Sequence, residues 1–163
     1  MRGRRRSALV ALATTLLAVA LGRAYVVDTV VVTSDSMRPT LCAGDWLVLL
    51  APGAARSTGP GDLVVFPAPD DGLPTVKRVV AVGGQQVEIR DAVLYVDGVV
   101  VPEEYVDRRT VDGTHFGPSR VPPDRVFVLG DDREHSVDSR SYGAVARRAI
   151  AGRVLGRVHS ACD

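Results

Sequence analysis

The sequence predicts a mainly β domain carried behind a single N-terminal membrane span. Val-rich runs of strand length are separated by Gly, Pro and Asp, in a chain with Gly 16 and Pro 10, which is the pattern of short strands joined by turns. Asp97-Gly98 lies between two such runs, and that dipeptide supplies the positive-φ pair of a tight hairpin. A mostly apolar run from Ser7 to Val27 follows Arg2, Arg4, Arg5 and Arg6. Its length is about the ~20 residues that a bilayer core requires, and Arg23 can snorkel. At 163 residues the chain accommodates one domain plus a short anchor.

The elements follow in order. Residues 1–27 form the basic tip and anchor, with the arginines held on the cytoplasmic side, so that 28–163 face outward. A cleaved leader competes with the anchor, because Ala18-Val19-Ala20 resembles a cleavage site. Val26–Val32 predicts a first strand, and Asp45–Leu50 a second. Residues 51–60 form a small-residue loop, and Asp62–Phe66 a third strand. Pro67, Pro69 and Pro74 bracket Asp70-Asp71-Gly72 as a turn before an apolar strand that carries Lys77 and ends at Gly83-Gly84. Gln86–Ile89, then Ala92–Val96 and Val99–Val101 about Asp97-Gly98, predict a small inserted β subdomain or loop over about residues 85–125. Glu103–Pro123 is polar and turn-rich, and is expected to carry little chemistry. Val126–Leu129 is a strand. Ala144–Val158 is a short helix or a strand, with Gly152 and Gly156 against a long helix.

Composition excludes several functions. The net charge of +1 gives no reason to expect nucleic acid. No spacing of His, Cys, Asp or Glu suggests a metal, and no motif suggests a cofactor. Cys42 and Cys162 are the only cysteines. They are able to pair in an oxidising compartment, but two cysteines make no framework, and Cys42 is expected as a small buried hydrophobe.

Chemistry concentrates at two places. Ser34 and Ser36 are two apart in Thr33-Ser34-Asp35-Ser36-Met37-Arg38-Pro39-Thr40-Leu41, and in extended chain such residues share a side. A serine hydroxyl needs a base. None of His115, His135 and His159 has the setting of a Ser-His-Asp site. Of the 20 Lys and Arg residues only Lys77 is lysine. Arginine keeps its proton in proteins, whereas a buried lysine releases it more easily. Lys77 lies in the apolar run Val76-Lys77-Arg78-Val79-Val80, where burial would make it a base for Ser36.

Four segments then appear in a fixed order: Ser34–Leu41, Gly61–Phe66, Val76–Val80 and Gly130–Gly143. Together with the preceding apolar run they resemble the characteristic boxes of bacterial type I signal peptidases. The resemblance implies a compact antiparallel β-sheet catalytic domain of that type. It implies a membrane-bound serine endopeptidase that removes N-terminal signal peptides from exported preproteins after an Ala-x-Ala-like site. Its partners would be secretory preproteins and the lipid bilayer of the bacterial cell membrane. Ser36 would be the nucleophile and neutral Lys77 the general base. The Ser36 N–H and Ser34 hydroxyl would form the oxyanion hole. By the same resemblance Ser136 would hydrogen-bond the Lys77 amine, Arg78 would pair with Asp131, and Arg140 with Asp138. Met37 and the strand before Ser34 are candidates for the substrate pocket.

Two positions depart from the family pattern: Asp132, where Asn is usual, and Gln85 after Gly84. A carboxylate at 132, if close to Lys77, would raise the lysine pKa. Two other functions are compatible with a Ser–Lys pair on a β domain: a self-cleaving regulator, and an inactive membrane-tethered binding module. The basic tip and span argue against the first, and the presence of both Ser36 and the sole lysine against the second.

Overall fold

A computed structural model of the chain describes residues 14–15, 26–50, 57–107 and 115–162. The strands are β1 (Val26–Val31), β2 (Trp46–Leu50), β3 (Leu63–Pro67), β4 (Pro74–Val82), β5 (Gln86–Arg90), β6 (Val93–Val96), β7 (Val99–Val100), β8 (Phe116–Arg120), β9 (Arg125–Leu129), β10 (Val145–Ala146) and β11 (Gly152–His159). One short helix, α1 (Ser139–Tyr142), precedes β10, and a 3-10 turn (Arg147–Ala149) follows it. A seven-stranded sheet has the order β1-β2-β11-β3-β4-β9-β10, and a four-stranded sheet has the order β7-β6-β5-β8. Every pairing is antiparallel.

β4 holds this arrangement together. Its Val76 packs with Met37, Leu41, Leu47, Leu49 and Val65. Val79 packs with Val64, Phe66, Val126 and Val128. Val80 and Ala81 join Val87, Ile89, Leu94, Phe127 and Leu129, which ties the small sheet to the large one. A strand buried on both faces reads as a nearly continuous apolar run, and its β-branched residues suit the pleat. Lys77 and Arg78 interrupt that run.

The hairpin at 97–98 has φ 51° at Asp97 and 78° at Gly98, the pair of positive values that a type I′ turn requires. Within the 103–123 segment β8 pairs with β5. The 144–158 segment divides into β10, the 3-10 turn and β11, and β11 enters the large sheet between β2 and β3. Cys42 is bonded to Cys162, with an S–S distance of 2.03 Å, rather than held as a buried thiol. β11 causes this, because pairing His159 with Trp46 carries the chain end back to the start of β2.

The expected span at 7–27 lies largely outside the described residues. Thr14 and Thr15 are helical, and Val26 and Val27 already belong to β1. Among the described residues no helix is long and apolar enough to cross a membrane.

Candidate active site

Ser36 sits on the turn between β1 and β2. The turn is closed by Arg38 N–H to Asp35 O at 3.0 Å and Leu41 N–H to Met37 O at 2.9 Å. The Asp35 carboxylate takes the Arg38 Nε–H at 3.0 Å and the Ala43 N–H at 3.2 Å. Met37 is 1% exposed and plugs the turn into the core below. Burying that side chain against aliphatic neighbours is worth about 1.5–3 kcal/mol, and it aims Ser36 away from the core.

β4 brings Lys77 to the same point. Its Nζ donates to Ser36 Oγ at 2.5 Å, although the two residues are far apart in sequence. Lys77 is 3% exposed. Burial pushes its pKa below the ordinary 10.5, against the charges of Asp138 and Asp131, which raise it, and with that of Arg140, which lowers it. Removing the amine from water outweighs the carboxylates because neither touches it. Ser34 Oγ lies 3.2 Å from Ser36 Oγ.

The 130–143 segment supports both residues. Asp132 N–H donates to Ser36 O at 3.1 Å. The Asp138 carboxylate takes Gly130 N–H at 3.0 Å, Arg140 Nε–H at 2.8 Å and an Arg140 terminal N–H at 2.9 Å. Asp131 receives a fork from Arg78, at 2.8 and 2.6 Å. Gly130 is required here, since a methyl on its Cα would collide with Ser136 Oγ and Ser36 O.

Not every expected contact forms. Ser136 Oγ is buried against Gly130 and has no hydrogen-bond partner, so it does not reach the Lys77 amine. Asp132 does not act on Lys77 either. Its carboxylate is occupied by the His135 N–H at 3.2 Å and the His135 ring at 3.1 Å. Arg133 reaches out of the segment to Glu103.

Glu103 and Tyr105 are the residues that sequence reasoning missed. Glu103 is 5% exposed, and the Arg133 guanidinium grips both of its oxygens. The Tyr105 hydroxyl also donates to it, at 3.0 Å. A carboxylate in a polar stretch gives no signal of burial until its partner is known.

A groove of about 390 Å³ runs past the pair, lined by Ser34, Ser36, Leu73, Thr75, Lys77 and Val137 among others. A smaller cavity of about 40 Å³ opens beside Ser36 between Val30, Val32, Met37 and Val76. Met37 walls that cavity from the core side. A larger hollow, about 560 Å³, between Pro123–Arg125 and Ala146–Arg148 holds neither Ser36 nor Lys77, so size alone does not mark the reactive place. Among the described residues no group of His, Cys, Asp or Glu could hold a metal ion.

The chain matches the family model described as signal peptidase, peptidase S26, over residues 5–159. It belongs to the signal peptidase family. It is 35% identical over 144 residues to a probable signal peptidase I-1 of Synechocystis sp., covering 83% of this chain and 72% of that one. It is 32% identical to a signal peptidase I of Bacillus licheniformis, covering 80% and 75%. A crystal structure of a signal peptidase I from Enterococcus faecalis V583 superposes with a TM-score of 0.54 at 32% identity. That match covers 61% of this chain and 97% of the other. As a member of the signal peptidase family the chain is a serine peptidase with the antiparallel catalytic fold of its relatives.

Proposed function

We propose that this signal peptidase family member works by a Ser36–Lys77 dyad, anchored in the bacterial cell membrane with its catalytic domain outside. It would remove signal peptides from secretory preproteins after an Ala-x-Ala-like site. The observation that carries the mechanism is the buried Lys77 Nζ at 2.5 Å from Ser36 Oγ. A neutral amine at that distance accepts the hydroxyl proton as Ser36 Oγ attacks the scissile carbonyl. The same proton passes to the leaving amine as the peptide C–N bond breaks and an ester forms on Ser36. Lys77 then draws a proton from water, whose oxygen attacks the ester, and that proton passes to Ser36 Oγ as the ester bond breaks and the acid leaves. The Ser36 N–H and Ser34 hydroxyl hold the negative oxygen of each tetrahedral intermediate.

Two features support an extended substrate with small side chains. β1 ends the large sheet, and β4 pairs with β9 only from Arg78 onward. Among the described residues no strand lies on the outer edge of β1 or on the edge of Thr75–Val76 away from β3, which leaves room for an added strand. The 40 Å³ cavity beside Ser36 is lined by Val30, Val32, Met37 and Val76 together with Thr33, Ser34 and Thr75, and its small size suits a methyl better than a larger group. The Cys42–Cys162 bond fits an oxidising, extracytoplasmic location.

The test is cleavage of a secretory preprotein in detergent, with sequencing of the new N-terminus, by wild type, Ser36→Ala and Lys77→Met. A cut after Ala-x-Ala that vanishes in both variants is the expected result. A folded wild type that leaves the preprotein intact, or cuts elsewhere, would overturn the substrate assignment.

A further inference from the structure

We infer that Glu103 and Tyr105, delivered from the end of the small sheet, are positioning residues for the Ser36–Lys77 pair. The inference rests on the dyad proposed above. Two arms lead from these residues to the reactive atoms. In the first, the Arg133 guanidinium holds both Glu103 oxygens, while its Nε–H donates to Gly130 O at 3.0 Å. Gly130 lies against Ser36 O with no room for a Cβ, and Asp132 N–H bonds that same carbonyl. The carbonyl of Ser36 is thus seated on a backbone that Arg133 pins and Glu103 orients. In the second arm the Tyr105 ring lies 3.9 Å beneath the Arg78 guanidinium, and Arg78 forks onto Asp131. Arg78 is the neighbour of Lys77 on β4, so its anchorage sets how that strand presents the amine. The Tyr105 hydroxyl joins the arms by donating to Glu103.

Energetics favour a geometric role. Side chains at 103 and 133 are 3% and 2% exposed. Removing both charges from water costs nearly what their attraction returns, so apolar residues of similar volume often serve stability equally well. Arginine's planar fork, however, fixes direction at three of its nitrogens at once. An apolar replacement cannot hold Gly130 O in place.

The test compares wild type with the triple variant Glu103→Leu/Tyr105→Phe/Arg133→Met in the full-length detergent-solubilised enzyme, measuring kcat, KM and Tm. A positioning role predicts kcat lower by about 10- to 10²-fold with KM nearly unchanged and Tm retained. Wild-type kcat in the folded triple variant would overturn the inference, as would a change confined to KM. Should the triple variant not fold, Glu103→Asp decides by the same readout. It keeps the charge but shortens its reach, so kcat falls if positioning matters, and an unchanged kcat overturns the inference. Ser36→Ala is the control for the underlying reading. Cleavage surviving in it sinks the dyad, whereas an inert Ser36→Ala beside fully active Glu103 variants sinks only this inference.

Discussion

Lys77 and Arg78 are neighbours on one strand, both basic and both mostly buried, yet they face opposite fates. Successive strand residues point to opposite sides. Lys77 meets a neutral hydroxyl, with no carboxylate in contact. Arg78 meets a forked carboxylate at 2.8 and 2.6 Å, the Gly61 carbonyl at 3.0 Å and the face of Tyr105. Burial pulls both side chains toward the neutral form. For Lys77 it wins, whereas for Arg78 the Asp131 hydrogen bond and charge more than offset it. In the proposed mechanism one strand thus supplies a base and a fixed cation from adjacent positions, a lysine beside a neutral partner and an arginine beside a paired one.

The sharpest way to break the contrast is to make both positions alike. Lys77→Arg places a permanent cation against Ser36, and cleavage should fall by at least about 10⁴-fold while the domain stays folded. Activity near wild type would remove Lys77 from the chemistry. Arg78→Met attacks the other side and leaves Asp131 buried without its cation. Unfolding in urea should show a loss of about 3–5 kcal/mol, seen as a lower midpoint at unchanged slope. A loss under ~1 kcal/mol would mean that the fork is solvated after all. Ser34→Ala leaves both basic side chains in place and tests only the oxyanion donor. The expected loss in kcat is about 10²–10³-fold with little change in KM, and a change under about twofold would return Ser34 to a turn residue.

The smallest effect is on pH dependence, and its sign follows from the lowered Lys77 value. Between the folded pKa and 10.5 the unfolded chain holds a proton that the native state does not, so stability rises with pH across that window. Below the folded pKa the native state bears the full cost of charging the amine. Lys77→Met should therefore be more stable than wild type, by the most at low pH and by less as 10.5 is approached. In wild type the ascending limb of kcat/KM should have its midpoint below 10.5, since that profile reports the free enzyme. A midpoint at or above the ordinary lysine value would erase the difference between the two residues.

The site was partly legible because its chemistry needs rare residue types in local patterns. A sole lysine in an apolar strand and two serines two apart are visible without coordinates. The Arg78–Asp131 and Arg140–Asp138 pairs came from the family resemblance, and the structure contains both. Ser136 shows the limit of that route, for resemblance names a residue but not the rotamer its hydroxyl adopts beside Gly130. Glu103 shows another. Its partner Arg133 lies in a different segment, and nothing in a polar, proline-flanked stretch tells a buried carboxylate from a solvated one. Asp45 was equally silent. It is fully buried, taking the Cys42 and Ala161 N–H groups and Arg157, only because the chain end returns beneath it.

By itself the sequence determined the local elements: Val-rich strands, the Asp97-Gly98 hairpin, and the serine turn that Met37 and Leu41 seat in the core. Strand propensity, side-chain alternation and turn chemistry act over a few residues, so a few residues suffice to state them. Only the tertiary structure decided that β11 enters between β2 and β3, that Cys42 meets Cys162, and that Glu103 crosses to Arg133. Those outcomes depend on long-range pairing, in which a buried charge or thiol takes whichever partner the folded backbone brings within reach. Lys77 belongs to both levels. The sequence placed its sole lysine in an apolar strand, and the packing of three core clusters around β4 buries the amine and lowers its pKa.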